Sequence, residues 1–174
     1  MALINTTTTG VLGSTFFGDG TGSLTVQQNG VTLGTYGNIP AFSAYNSASQ
    51  SVSSGVDTKV LFDTEQYDTN NNFASSRFTP TVAGYYQLNT RIRFNGTSPS
   101  QYVIYWYKNG ASIGIGAYYN ANLGAIFASA STLEYMNGTT DYVEIYANIT
   151  ATSPSLSSTY SNTSFFSGFL AKAT

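Results

Sequence analysis

Asp63 and Glu65 stand two residues apart on a segment that reads as extended, so both carboxylates can face one way. Two carboxyls so placed could serve glycoside hydrolysis, one as acid and the other as nucleophile or base. The alternative, two solvated acids on a sheet edge, is the expected one, because the rest of the chain offers no catalytic company. Histidine is absent, which denies any serine nucleophile its usual base. Cysteine is absent too, so thiolate chemistry and the usual nitrogen and sulfur ligands of zinc are missing. Gly18-Asp-Gly-Thr-Gly22 and Gly114-Ile-Gly116 lack the lysine and the strand–helix setting of a phosphate loop, and read as turns or close approaches. Asp68-Thr-Asn-Asn-Asn72 resembles the first half of a calcium loop, but Phe73 occupies the place of the sharp-turn glycine and the distal Glu is missing. No catalytic residue, metal site or cofactor is expected, and the chain does not read as an enzyme.

Recognition chemistry is better represented. Tyr102–Tyr107, around Trp106, could stack sugars or bases. Its alternation (Tyr102, Ile104 and Trp106 against Val103, Tyr105 and Tyr107) equally suits a sandwich strand covered on both faces, and core or interface is the expected role. Arg91 and Arg93 could clamp a ligand, but cross-strand or intersubunit pairing is the expected use.

The elements that would carry these residues are strands. Only 8% of the 174 residues are charged, and Ser, Thr and Asn together number 61, so hydroxyls and amides must dress the surface. Aromatics at 15% supply core material that a disordered polar chain would lack. Asn-Gly at Asn29, Asn95, Asn109 and Asn137, and Asp-Gly at Asp19, supply hairpin turns. The runs between them are rich in Tyr, Ile, Val, Phe and Thr with a period of two. Strands are expected at Phe42–Tyr45, Lys59–Phe62, Phe73–Pro80, Gly84–Phe94, Gln101–Lys108, Ser112–Tyr119, Ala125–Met136, Thr140–Asn148 and Thr163–Ala171. Along Gly84–Phe94, Tyr86, Leu88, Ile92 and Phe94 share one face with Thr90; Tyr85, Gln87, Asn89, Arg91 and Arg93 share the other. Residues 1–39 differ, with a Thr run and short glycine-rich polar segments. They read as an attachment arm or small β appendage, with residues 40–174 as the main domain.

A formal charge of −2 and six scattered Lys and Arg give no basic patch, so nucleic acid is not an expected partner. MALINTTTTG has neither a basic n-region nor an apolar h-region, and the longest apolar run is far short of a bilayer span. No export signal and no membrane insertion are expected, and the missing disulfides lean towards synthesis in a reducing cytosol.

Several segments in register carry a family resemblance: Ala41-Phe-Ser-Ala44, Lys59-Val-Leu-Phe-Asp63, Ser76-Arg-Phe-Thr-Pro80, Ala83-Gly-Tyr-Tyr-Gln-Leu88, Tyr107-Lys-Asn-Gly110, Ser131-Thr-Leu-Glu-Tyr135 and Phe166-Ser-Gly-Phe-Leu170. Their order and spacing over about residues 40–174 resemble the globular heads of the complement recognition subcomponent and the wider tumour-necrosis-factor-like jelly rolls. That family shows a Phe-Thr-x-Pro-x-x-Gly-x-Tyr-x-Phe strand. Here Pro80 falls one place early and Leu88 takes the last aromatic position. The resemblance implies an all-β jelly-roll sandwich of about ten strands that assembles as a homotrimer. The collagen period that precedes animal members is absent from residues 1–39. The arm looks more like that of a bacteriophage fibre or other virion protein, made in the host cytoplasm and acting outside it.

Tyr and Phe exceed what one core needs, and several have the wrong parity for it, which independently favours assembly. Tyr85, Tyr135 and Phe165 are the expected trimer-interface residues. If the last strands run up and down, Pro80–Gly84, Asn109-Gly110 and Asn137–Thr140 lie at one end of the sandwich. Asn95–Ser100, Asn120–Gly124 and the long polar Ile149–Asn162 then lie at the other. Loops held by a rigid scaffold commonly bind, so Asn120, Asn122, Ser157 and Tyr160 are the expected receptor contacts. The function so read is a trimeric fibre or head protein, joined to other virion proteins through residues 1–39 and to a host surface glycan or protein by its head. The alternatives are a capsid-decorating protein without a receptor role, and a secreted or spore-surface trimer of the same fold.

Overall fold

The computed structural model describes Thr15–Gly18, Leu24–Gln28 and Val31–Tyr36 as backbone, and residues 39–158 and 162–174 in full. The chain divides into two compact units, Met1–Ile39 and Pro40–Thr174. In the first, β1 (Thr15–Gly18), β2 (Leu24–Gln28) and β3 (Val31–Tyr36) form an antiparallel sheet in that order.

The second unit is all-β. Its strands are β4 (Ala41–Tyr45), β5 (Gln50–Ser51), β6 (Thr58–Lys59), β7 (Thr64–Asp68), β8 (Phe73–Ala74), β9 (Arg77–Phe78), β10 (Gly84–Lys108), β11 (Ala111–Tyr119), β12 (Ala125–Met136), β13 (Val143–Leu156) and β14 (Phe165–Ala173). All pairings are antiparallel. The 25-residue β10 organises the whole. Its first half lies between β14 and β12, with β4 and β7 continuing beyond β14. Its second half lies between β11 and β13, with β5, β6 and β9 on the far side of β13. The two halves thereby belong to two layers packed face to face, a jelly roll.

The expected break between Gly84–Phe94 and Gln101–Lys108 is absent, because the chain stays paired as it crosses between layers. Register shifts at 95–101 and a positive φ at Ser98 (48°) provide the bend. For the same reason β13 runs on to Leu156, and the long polar loop expected from Ile149 is mostly strand. Elsewhere Phe73–Pro80 divides into β8 and β9, because Ser75 and Ser76 adopt φ of 51° and 57° and turn the chain sharply.

The core fills the space between the layers as the period of two requires. Tyr86, Leu88, Ile92 and Phe94 of the first half of β10 are fully buried, as are Tyr102 and Ile104 of the second half. Phe42 stacks on Phe78 at 4.3 Å and meets Phe166 edge-on at 4.8 Å. Phe78 meets Tyr86 at 5.3 Å. Edge-to-face and offset contacts of this kind add to what burial alone contributes. Gly168 is glycine because a Cβ there would lie 2.5 Å from Leu88 Cδ2 and 2.9 Å from Phe42 Cε1.

Candidate functional site

The outward face of the first layer is built by register. Tyr85 pairs with Tyr135, Gln87 with Leu133 and Arg93 with Phe127 across β10 and β12. On the other flank Gln87 pairs with Phe169 and Arg91 with Phe165. Residues in register share a face, so the parity that sends Tyr86 and Leu88 inward sends these outward. Phe127 is 56% exposed, Leu133 55% and Phe169 47%. The Tyr85 and Tyr135 rings meet edge to face at 5.5 Å, both half exposed. Two of the three expected interface residues are therefore in contact. The third, Phe165, is half-buried on the same face, under the Arg91 guanidinium at 5.2 Å.

The two arginines act within the chain. Arg91 donates from Nε to the Thr163 carbonyl and from Nη2 to the Asn162 carbonyl, both at 3.0 Å. Arg93 donates from Nη1 to Ser157 Oγ at 2.5 Å. Both guanidinium groups also lie over Phe127, at 5.7 and 5.8 Å. Together they tie Ser157, Asn162 and Thr163 to β10.

The loops gather at two ends. At one, the Ala83 backbone nitrogen lies against Gly138, and Asn109 Nδ2 donates to Asp141 at 2.8 Å. At the other, the Gly96 amide donates to the Gly124 carbonyl at 3.0 Å, and the Tyr102 hydroxyl donates to the Leu123 carbonyl. Asn120 and Asn122 lie exposed in this second end, between β11 and β12. Ser157 does not present itself there. It is 4% exposed, its hydroxyl taken by Arg93 and its amide donating to the Arg93 carbonyl at 2.8 Å. It is a positioning residue of the first layer rather than a surface contact. Tyr160 lies outside the described residues.

Asp63 and Asp68, singled out for their carboxylates, are engaged by neighbouring groups of their own chain. Asp63 accepts the Ser47 hydroxyl at 2.6 Å and the Ser47 amide at 2.7 Å. The hydroxyl bond above all holds its carboxyl below the ordinary range, a poor setting for a general acid. Asp68 turns its carboxylate onto its own loop, accepting the Asn70 amide at 3.2 Å and the Phe73 amide at 2.6 Å. Among the described residues no three acids gather to hold a cation.

A cluster on the second layer escaped the sequence reading. Glu144 on β13 is buried, with Lys59 Nζ 2.6 Å and Arg77 Nη2 2.9 Å from its Oε1. Burial pushes its carboxyl up, but the hydrogen bonds from Lys59 and Arg77 outweigh that and hold it below its ordinary value. The Arg77 guanidinium lies 3.7 Å from the centre of the Tyr142 ring. The three charges are 67 and 85 positions apart in the chain, so no local pattern announces them.

No family model matches the sequence, and no curated protein does. Among solved structures, the chain is similar to the globular domain of zebrafish complement 1qA protein. The TM-score is 0.57 at 18% identity, over 78% of this chain and 99% of that one. It is also similar to murine APRIL in crystal structures at pH 8.5 and pH 5.0. Both give a TM-score of 0.54 over 76% of this chain and 98% of the other, at 10% and 11% identity. At such identities the likeness is one of fold, a jelly roll similar to theirs.

Proposed function

We propose that the chain is a non-enzymatic binding and structural protein whose jelly roll assembles as a homotrimer through the outward face of its first layer. One observation carries the reading: Tyr85, Tyr135, Leu133, Phe127 and Phe169 stand together on one sheet face and remain exposed in the single chain. Isolated exposed apolar residues are ordinary, but a contiguous set in register marks an interaction surface. Closed threefold symmetry would cover it without leaving a free edge. The fold shared with complement 1qA and APRIL supports the same reading.

In this proposal the trimer is the head or fibre domain of a virion, here a bacteriophage. Residues 1–39 join it to other virion proteins. The loop end that carries Asn120 and Asn122 faces the host surface. The low charge, the hydroxyl- and amide-rich composition and the glycine-rich arm support that setting. Native mass spectrometry should find three chains, and fluorescently labelled trimer should bind bacterial host cells. A monodisperse monomer would overturn the assembly. A trimer that binds no cell yet remains on tail-less heads would replace attachment with capsid decoration.

A further inference from the structure

We infer that the outward face of the second layer carries a saccharide-binding patch, centred on Tyr107 and Tyr146 and suited to an uncharged pyranose ring. The inference rests on the reading of the chain as a binding protein, and it names a ligand class and a place for that binding. The stacking segment around Trp106 divides by parity. Tyr102, Ile104 and Trp106 are buried between the layers, while Tyr105 and Tyr107 turn outward and are only half-buried. Tyr105 pairs directly with Tyr146, and Tyr146 with Lys59; Tyr107 pairs with Glu144. The Tyr107 and Tyr146 rings stack with centroids 3.9 Å apart and planes 22° from parallel. Stacked so closely, each ring covers one face of the other and holds it rigid, leaving the remaining ring surface half-buried on the outward side.

Polar groups flank the ring pair in fixed positions. Asp57 is exposed, and its carboxylate accepts Asn148 Nδ2 at 2.7 Å and the Tyr107 hydroxyl at 3.4 Å. Asn148 is itself only 7% exposed, so the carboxylate is held from beneath. Close by, buried Glu144 anchors Lys59 and Arg77, whose side chains remain 26% and 41% exposed. The patch thus sets a fixed acceptor and two fixed cationic donors around aromatic carbon. A pyranose has the matching chemistry: one face of C–H groups to lie on a ring, and a rim of hydroxyls that both donate and accept. Binding sites commonly combine mostly aromatic lining with a few preplaced polar groups, and tyrosine supplies rigid amphipathic area at low entropic cost.

The charges discriminate against other ligands. Asp57 and Glu144 balance Lys59 and Arg77, so the patch offers no net field to a quaternary ammonium or to a phosphate.

The test is an amide-shift titration of the intact trimer with methyl glucoside, methyl galactoside, methyl rhamnoside and N-acetylglucosamine, and with tetramethylammonium as a cation probe. At least one pyranoside should shift amides in Tyr102–Lys108 and Val143–Asn148. Tyr146→Ala should weaken that binding about tenfold or more, and Asp57→Asn severalfold. Asp57→Asn serves as the second variant should Tyr146→Ala fail to fold. No shift with any pyranoside, a shift with tetramethylammonium alone, or undiminished binding by both folded variants would overturn the patch. Host cells that bind wild type and the Tyr146→Ala trimer equally would remove its receptor role and leave attachment standing. Failure of wild type to bind cells would defeat attachment, and the titration would still decide the patch.

Discussion

Tyr85 and Tyr135 are 50 positions apart in sequence, yet they are direct register partners across β10 and β12, with ring centroids 5.5 Å apart. Both rings are turned away from the core, and each is 42% exposed. In the proposed trimer this exposed ring pair is part of the surface that a second chain would cover.

The first prediction concerns that contact. Leu133→Glu puts a carboxylate beside the tyrosine pair, where assembly would have to desolvate it. The trimer proposed above should then dissociate into monomers, with dissociation constants raised by roughly a hundredfold or more. Light scattering after size exclusion measures the mass, and far-ultraviolet circular dichroism should stay unchanged because Leu133 is exposed in the monomer. A Leu133→Glu protein that remains trimeric would show that this face is not the interface.

Glu144→Gln should cost about 1–3 kcal/mol, discounted because Lys59 and Arg77 are partly exposed. The same residue gives the acid limb a sign. Its folded-state pKa lies below its ordinary 4.5, so the folded protein binds fewer protons and gains stability as pH rises. That contribution is complete above about pH 4.5 and is lost as pH falls through the folded value. Asp63, held by Ser47, and Asp141, held by Asn109, act in the same direction. Urea melts from pH 7 to pH 3 should therefore show a shallower acid loss in Glu144→Gln than in wild type. Equal slopes would mean that the ion cluster does not couple to folding.

Tyr86 leads the alkaline limb, with Tyr102, Tyr105, Tyr107 and Tyr146 acting in the same direction through burial. The Tyr86 hydroxyl donates to the Val82 carbonyl at 2.8 Å, and burial pushes its pKa up from 10.0 to about 12. A raised tyrosine pKa favours the protonated form in the folded state. The contribution, roughly 2–3 kcal/mol, is intact below pH 10.0 and is lost as pH climbs towards 12. Tyr86→Phe should flatten the fall in stability over that interval, as read by denaturant melts at pH 9, 10 and 11.

Two glycines should part company. Gly138 has φ of 71°, and a Cβ there would lie 2.4 Å from the Ala83 nitrogen and 2.7 Å from the Val82 carbonyl carbon. Gly110 has a similar φ of 80°, but its Cβ would meet only the Tyr142 hydroxyl, at 3.4 Å. Gly110→Ala should cost about 1 kcal/mol through conformation alone, and Gly138→Ala at least about 2 kcal/mol more through the backbone clash. Equal losses in thermal melts would mean that the turn moves freely away from Ala83.

The match between expectation and structure was closest where one face of a strand is buried over many residues. Ala125–Met136 is a strand over that same span, and the parity of Gly84–Phe94 divides its side chains between core and surface as expected. A period of two is strong evidence there because a slip of one residue would turn Tyr86 and Leu88 out of the core. It fails where pairing continues through a bend. Asn95-Gly96 reads as a turn, yet the chain keeps its partners from Asn95 to Gln101 and changes layer instead. Short strands such as β5 are held by neighbours rather than by their own sequence. Ser157 looked like a loop residue because its local sequence is polar, and the guanidinium that buries it comes from Arg93, 64 positions away.

The sequence by itself determined an all-β chain, the parity of its strands and the poverty of its catalytic chemistry, because alternation, turn residues and missing side chains are local facts. Only the tertiary structure decided which outward residues become neighbours. Register sets Tyr85 against Tyr135 and Tyr105 against Tyr146, and it brings Lys59 and Arg77 to one buried carboxylate. Those adjacencies depend on strand order and layer crossing, which are fixed by how the whole core packs and not by any segment within it.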